Sequence, residues 1–284
     1  MKLLSAELLE TREFLPGQWL QRYHVQWLAA GAIAGQFVHV RTPDYSGLVL
    51  RRPFSINTCD RAAGDITIHF RVTGVGTGWM ARAQPGELLE MLGPLGRPFE
   101  RDPRARHLLL VAGCLGMAGV MSLADEALAA GCTVTLLFGA ASAAQVYPSS
   151  LLPDEVEYVV ATDDGSFGHK GLVTELVPKL ERWAEQCFAC GPQPMLAALA
   201  RLAAGRQARL GVARLGARRG SKNATRGSSA ARRRAWLQVS MEQNMGCAVG
   251  ACLGCVVMGV DGPQRVCREG QVFAAEEINW DGWR

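Results

Sequence analysis

His107-Leu-Leu-Leu-Val-Ala-Gly-Cys-Leu-Gly-Met-Ala-Gly119 is the stretch on which the architecture turns. Its first six residues are mainly apolar without alternation, the pattern of a strand covered on both faces in a parallel sheet. Gly113, Gly116 and Gly119 follow, and then an Ala/Leu-rich run to about Ala130. Glycine between a strand and a helix places backbone amides and a helix N-terminus where a nucleotide diphosphate can sit, which makes Gly113 and Gly116 candidates for that role. The full G-x-G-x-x-G string is absent. The run from Leu108 to Ala124 approaches the length of a membrane span, but its glycines and strand-like start favour strand, loop and helix.

Three further runs repeat the pattern downstream: Thr133–Phe138, Val156–Ala161 and Gln186–Ala189. Strand and helix in alternation predict a doubly wound parallel sheet over residues 102–204. Past the second run, Gly139-Ala-Ala-Ser-Ala-Ala-Gln145 holds no Lys or Arg, which favours NAD over NADP because a 2′-phosphate needs a cation. The fourth run ends in Cys190-Gly-Pro-Gln-Pro-Met195, and a helix is expected from Leu196 to about Ala204. On its own Cys190 reads equally as a small buried residue at a strand end.

Upstream, residues 1–101 read as an antiparallel barrel. Short runs recur at Tyr23–Trp27, Gln36–Val40, Leu48–Leu50 and Asp65–Val72, with turn signals at Leu15-Pro-Gly17 and Ala63-Gly64. Among them lies Arg51-Arg-Pro-Phe-Ser-Ile56. On a strand Arg52 and Phe54 share a face, and Ser55 points the other way unless Pro53 bends the chain. A guanidinium suits a pyrophosphate and an aromatic ring can stack on an isoalloxazine. In Arg71-Val-Thr-Gly-Val-Gly-Thr77, Gly74 and Gly76 would let amides approach a phosphate and Thr77 add a hydroxyl; a plain hairpin turn is the alternative. Gly93-Pro-Leu-Gly96 reads as a closing turn.

Near the C-terminus stands Cys247-Ala-Val-Gly-Ala-Cys-Leu-Gly-Cys255, with Cys267 behind it. The spacing C-x4-C-x2-C plus a fourth cysteine is close to that of plant-type [2Fe–2S] ferredoxins. Gly250, Ala251 and Gly254 are small enough for backbone to wrap inorganic sulfide. Four thiolates also suit zinc, but zinc usually takes two C-x2-C knuckles and only one is present.

The bulk numbers agree with two or three globular units: 284 residues, 49% hydrophobic and 20% charged. An odd count of nine cysteines, four of them in one motif, points to a reducing cytoplasm rather than a disulfide framework. The opening MKLLSAELLE lacks the apolar core of a secretory signal. The net charge of +4 is local: eleven Lys/Arg and no acid lie between Arg201 and Arg234, which leaves the rest of the chain net acidic. Residues 205–235 are therefore expected to be a poorly ordered linker or insertion, in preference to a nucleic-acid-binding arm. Residues 236–284 form a small unit around the cysteines.

Arg52-Pro-Phe-Ser55, Gly74-Val-Gly-Thr77 and Gly93–Gly96, followed by Thr162–Gly171 and the Cys190 turn, resemble the ferredoxin reductase-like flavoproteins. With Val239–Met245, the cysteines, Arg265–Gly270 and Val272–Ala274 added, the chain is similar to one subfamily, the electron-transfer subunits of NAD-dependent dihydroorotate dehydrogenases. That resemblance implies FAD held by Arg52, Pro53, Phe54, Ser55, His69, Phe70, Arg71, Gly76 and Thr77. Phe54 replaces the family's common Tyr, keeping the stacking face without the hydroxyl. It also implies NAD at Gly113 and Gly116, Cys190 beside the nicotinamide as the catalytic position, and a [2Fe–2S] cluster on Cys247, Cys252, Cys255 and Cys267. Cys114 and Ala118 depart from the family's glycine-rich loop, and the Arg-rich stretch departs from its direct passage into the cysteines. The implied partner is an FMN-containing catalytic subunit that oxidises dihydroorotate in pyrimidine biosynthesis, in a cytoplasmic heterotetramer of two catalytic and two electron-transfer subunits. Electrons would run from that FMN through cluster and FAD to NAD. Nothing in the chain reads as an acid or base for a pyrimidine, as expected if the partner performs the first half-reaction. Two alternatives remain: a ferredoxin:NAD(P) reductase or sulfide dehydrogenase subunit with the same carriers, and a zinc protein binding nucleic acid through the Arg-rich arm.

Overall fold

Two seven-stranded sheets organise the chain in a computed structural model that describes residues 1–42, 49–209 and 235–281. The first is antiparallel throughout. It comprises β1 (Lys2–Leu15), β2 (Gln18–His24), β3 (Phe37–Val40), β4 (Arg52–Ser55), β5 (Thr58–Asp60), β6 (Asp65–Arg71) and β7 (Leu88–Leu95), in the order β4-β3-β7-β1-β2-β6-β5. β1 is long enough to serve two partners. Its first half pairs with β7 and its second with β2, and register shifts near Leu8 and Glu13 let it bend between them. The sheet curls around Leu8, Tyr23, Val38, Ile66, Ile68 and Met91, all fully buried. Each such side chain contributes about 1.5–3 kcal/mol by leaving water.

Four local expectations are refined. The run Tyr23–Trp27 is a strand only to His24, and α1 (Gln26–Gly31) follows, because Val25 turns inward and donates its amide to the Gly64 carbonyl. Leu48 of the expected Leu48–Leu50 run lies outside the described residues, and Val49 and Leu50 are exposed and not in a strand. Gly93–Gly96 is no simple turn, since β7 runs through to Leu95. Gly93 marks a close approach instead: a Cβ there would stand 2.9 Å from Val38 Cγ1. Gly74, read as loop or hairpin, caps a short helix, α2 (Val75–Met80).

The second sheet holds β8 (His107–Gly113), β9 (Thr133–Ala140), β10 (Glu157–Thr162), β11 (His169–Lys170), β12 (Gln186–Cys190), β13 (Leu237–Ser240) and, antiparallel at the edge, β16 (Val272–Ala274). The order is β11-β10-β9-β8-β12-β13-β16. The unbroken apolar run of β8 is explained by cover on both sides. Leu108 and Leu110 pack under α3 (Met117–Ala129), while Leu109 and Val111 face α4 (Val177–Leu180) and α5 (Gln193–Arg209). The chain winds outward from β8 to β10, then returns to β12 on the other side. That reversal opens a crevice at the C-terminal ends of β8 and β12, where ligands of such sheets bind.

The C-terminal segment does two things. β13 and β16 extend the parallel sheet through Leu237, Val239 and Phe273, and the hairpin β14 (Val256–Gly259) and β15 (Gly262–Arg265) stands between them with the cysteines. Residues 205–209, expected in the linker, continue α5: Arg206 donates to the Glu181 carbonyl at 2.9 Å and lies over the Trp236 ring. Residues 210–234 of the expected linker lie outside the described residues.

The two sheets are tied together. Arg61 donates to the Ala32 carbonyl and to Glu126 of α3, and Glu126 accepts from the Ala34 amide. Glu100 and Gln238 exchange two hydrogen bonds between the inter-sheet segment and β13. No helix among the described residues is long and apolar enough to cross a membrane.

Candidate functional site

A cleft of about 500 Å³ opens where β4 and β6 of the first sheet meet the start of α3 and the segment 241–245. Seven of the residues expected to hold a flavin line it: Arg52, Pro53, Phe54 and Ser55 from β4, and His69, Phe70 and Arg71 from β6. Thr77 lines it too. β3 brings β4 into place by pairing His39 with Pro53 and Phe37 with Ser55. Phe54 leans on Phe70, their ring centroids 5.7 Å apart.

Gly76 is not itself on the wall, but it has a second use beside the cation there. A Cβ there would come within 2.5 Å of Arg52 Nε and 2.8 Å of its Cζ, so the missing side chain seats the guanidinium. Arg52 donates to Thr42 Oγ1 at 3.0 Å and to the Leu50 carbonyl. Thr77 Oγ1 accepts from the amides of Thr73 and Gly74, which shapes the turn beside that cation.

His69 is buried and bonded through Nε2 to Gln18 Oε1 at 2.9 Å. An amide oxygen only accepts, so Nε2 carries the hydrogen and the ring is neutral with an acceptor at Nδ1. Nδ1 is buried without a partner. Burial, with the Arg71 charge adding to it, lowers the imidazole to about 4. The ring also stacks edgewise on Phe14 at 4.9 Å and meets Tyr147 of the second layer at 5.7 Å, so it touches both halves of the molecule.

Gly113, Gly116 and Cys190 stand one layer behind the cleft, whose wall here is Leu115 and Ala118. Gly113 makes room for Met195 and Pro192, and Gly116 for the Cys190–Gly191 backbone. These glycines serve the packing of the turn after β12. Gly119 does the same for the thiol: a Cβ there would lie 2.6 Å from Cys190 Sγ and 3.8 Å from Ser55 Oγ. Cys190 is 1% exposed, and burial, reinforced by the Glu242 carboxylate, pushes its thiol far up, so it is a neutral thiol.

Glu242 went unread in the sequence. It lines the cleft beside Cys190, and the surrounding protein raises its carboxyl above the usual range. Its sequence signal is its place in the Val239–Met245 run, five residues before Cys247, which by itself assigns it no role. Gln193, Met241, Met245 and Gln271 also line the cleft and were likewise not foreseen. A second cavity, of about 680 Å³, lies against β10 between Tyr147, Tyr158, Phe167 and His169, and none of the expected site residues lines it.

The cysteines lie on an irregular loop and the turn after β15. Ala248, Gly250 and Leu253 have φ of 57°, 83° and 59°, so the loop coils tightly. The amides of Ala251 and Cys252 donate to Cys247 Sγ at 3.3 Å, and that of Cys267 to Cys255 Sγ at 3.5 Å. Burial acts to raise the Cys247 thiol, but hydrogen bonds from the Val249, Cys252 and Ala251 amides and the Cys252 side chain outweigh it and bring it down to about 6. Burial and the neighbouring Cys255 push Cys267 up to about 12. Cys252 bears on the Cys247 thiol, and both Cys255 and Cys247 bear on that of Cys267, so the four thiols lie in one neighbourhood. Among the described residues no three metal-ligating side chains converge on one ion. Four thiolates in the C-x4-C-x2-C spacing, on a loop whose small residues let backbone amides reach the sulfurs, suit a binuclear cluster with two thiolates per iron. Cys255 and Cys267 share one apolar cluster with Phe37 and Met245, which line the cleft.

Residues 242–279 match the family model described as the iron-sulfur cluster binding domain of dihydroorotate dehydrogenase B. Over 287 aligned positions the chain is 31% identical to the dihydroorotate dehydrogenase B (NAD(+)) electron transfer subunit of Desulforamulus reducens, covering 99% of both chains. The protein of the same name from Bacillus caldolyticus is 35% identical over 249 positions, 86% of each. This chain belongs to that family. Among solved structures, the NADH-dependent reduced ferredoxin-NADP oxidoreductase shares its fold at a TM-score of 0.77 and 24% identity, covering 97% of this chain and 90% of that one. A ferredoxin NADP+ reductase from Neisseria gonorrhoeae with bound FAD and NADP superposes at 0.59 and 17% identity, over 77% of this chain and 95% of its own. The family's electron-transfer subunit is thus built on the ferredoxin reductase plan, with the cysteine unit attached to the edge of its second sheet.

Proposed function

We propose that this protein is the electron-transfer subunit of a dihydroorotate dehydrogenase. It would pass electrons from the FMN of a catalytic partner, through a [2Fe–2S] cluster and FAD, to NAD in pyrimidine biosynthesis. One observation carries the reading: the segment 241–245 walls the cleft and runs directly into Cys247, while Phe37 and Met245 pack in one cluster with Cys255 and Cys267. The cleft and the thiols are therefore parts of a single packed body.

When bound, a flavin exchanges a hydride with nicotinamide and single electrons with an iron–sulfur cluster, so it belongs between the two. The residues divide the work of holding it. Arg52, seated on Gly76 beside Thr77, supplies a cation for the pyrophosphate. Phe54 offers an aromatic face, and the neutral His69 a hydrogen-bond acceptor. Ser55, Cys190 and Glu242 stand together where α3 begins, on the side of the crevice between β8 and β12 that suits a nicotinamide. Cys190, one layer behind the wall, would back that site as a neutral thiol and not as a nucleophile. The absence of Lys and Arg from 139–145 supports NAD as the acceptor.

Cys247, Cys252, Cys255 and Cys267 would hold the cluster. Cys252 is exposed, and Leu253, Met258 and Val260 near it present apolar side chains to solvent. This rim is where the catalytic partner would dock, bringing its flavin to the exposed edge of the loop. The nine cysteines, four of them in one motif, support a cytoplasmic setting.

The test is a Cys252→Ser variant co-purified with the partner subunit. Dihydroorotate-driven NADH formation should be lost together with the cluster absorbance, while NADH-to-dye activity survives with the flavin. Full dihydroorotate:NAD activity in that variant would overturn the order of carriers.

A further inference from the structure

Arg265 ends β15, two residues before Cys267, and its hydrogen bonds reach well beyond its own turn. Its guanidinium forks onto Glu269, Nε donating to Oε2 at 2.9 Å and Nη2 to Oε1, while the Arg265 amide reaches Oε2 at 2.8 Å. The remaining nitrogen, Nη1, donates to the Gly250 carbonyl at 2.9 Å. Gly250 is the left-handed bend between Cys247 and Cys252, and a Cβ there would stand 2.8 Å from Arg268 Cδ and 3.4 Å from Arg265 Nη1. The backbone of Arg265 pairs with Val256, next to Cys255, and the Val266 amide donates to the Cys255 carbonyl at 3.0 Å. The amides of Arg268 and Glu269 fold back on the Arg265 carbonyl, forming the turn that carries Cys267. One residue thus binds the loop of the first two cysteines by its side chain, the strand of the third by its backbone, and the turn of the fourth by its place in the chain.

A solvated i,i+4 ion pair contributes little. This pair differs in kind. Both side chains are mostly covered, at 29% and 24% exposure, the contact is bidentate, and the third nitrogen is committed to a carbonyl of the cysteine loop. A lysine could supply the charge but not the fork and the third bond together.

We propose that Arg265, braced by Glu269, is a positioning residue that fixes Cys247 and Cys252 relative to Cys255 and Cys267 and so governs how firmly a [2Fe–2S] cluster is held. The proposal rests on the iron–sulfur reading above and adds a residue outside the four thiolates.

The experiment compares full-length wild-type protein with Arg265→Ala, Arg265→Lys and Glu269→Gln, all purified without oxygen. Iron and acid-labile sulfide are counted, bleaching of the cluster absorbance is followed in a ferrous chelator, and the electron paramagnetic resonance of the dithionite-reduced cluster is recorded. Arg265→Ala should release its cluster about 10-fold faster or more, the usual scale for an outer-shell partner of a metal ligand. Its resonance should also change shape, which a general loss of stability would not cause. Arg265→Lys should lie between, and Glu269→Gln should loosen the cluster less than Arg265→Ala, with flavin content constant throughout. Release and resonance in Arg265→Ala indistinguishable from wild type would overturn the proposal. If that variant does not fold, wild-type behaviour of both Arg265→Lys and Glu269→Gln would overturn it equally. Zinc without sulfide in the wild-type protein would instead bring down the iron–sulfur reading, and would be seen before any variant is compared.

Discussion

The cleft and the cysteine loop solve the same problem, holding a redox group, by opposite means. The cleft is made by regular strands. Arg52, Phe54, His69 and Arg71 project from β4 and β6, whose positions are fixed by sheet pairing and by the apolar core beneath them. The cysteine loop has no regular structure between Cys247 and Cys255, and its shape depends on amides bonded to sulfur and on the Arg265–Glu269 clasp. The first kind of site exists before its ligand does. The second is stabilised by what it binds, because ligand binding there is also folding free energy.

The largest effect should come from breaking the loop. Cys252→Ser removes one proposed ligand of the cluster, and orotate-coupled NADH formation should fall to background while dye reduction persists; simultaneous loss of flavin would show that the two sites are not separable. Breaking the cleft should act on flavin alone. An Arg52→Ala, Phe54→Ala double variant should bind flavin more weakly by about 3 kcal/mol, roughly a hundredfold, because it loses a charge-assisted contact and a stacking face. The flavin-to-protein ratio after gel filtration reads this out, and full occupancy would count against the assignment, as would loss of iron in the same variant.

Acid separates the two regions more gently. His69 has a folded-state value of about 4, below the ordinary 6.5. Its neutral form is favoured in the fold, so no cost exists above pH 6.5, and stability falls as pH drops from 6.5 towards 4 while only the unfolded chain takes up the proton. The total is up to about 3 kcal/mol. His69→Gln should flatten the melting temperature across that window, and an unchanged slope would remove His69 as its source. Smallest is Gly119→Ala, whose methyl presses on Cys190 Sγ. It should cost about 1–3 kcal/mol as overpacking, partly recovered by adding Cys190→Ala. Additive melting shifts would show that the two residues do not meet in this way.

Much of this was legible because the relevant signals are local. The apolar run of β8 announces cover on both faces, the cysteine spacing announces a metal site, and Arg52-Pro-Phe-Ser55 sits on one strand that meets the cleft. What escaped reading depends on contacts distant in sequence. β1 is written in good helix formers, Leu-Leu-Ser-Ala-Glu-Leu-Leu-Glu, and is a strand because β2 and β7 pair with its two halves. Gly76, Gly113 and Gly116 read as phosphate glycines, and the structure adds that they also yield space to Arg52, Met195 and Cys190, neighbours the sequence does not reveal. Glu242 has no motif, and only the return of β13 along β12 brings it beside Cys190.

That return has a consequence for how the molecule could be taken apart. Ser240 at the end of β13 and Val272 at the start of β16 are paired partners, so the chain between them leaves the sheet and rejoins it at one place, although it also packs on Phe37 and bridges Arg97 and Ile278. The cysteine unit is in this sense a detachable cassette plugged into the rim of a reductase. A short β-turn spliced from Ser240 to Val272 would leave the rim strands joined, yielding a flavin enzyme with one wall of its cleft removed and its exit for single electrons closed.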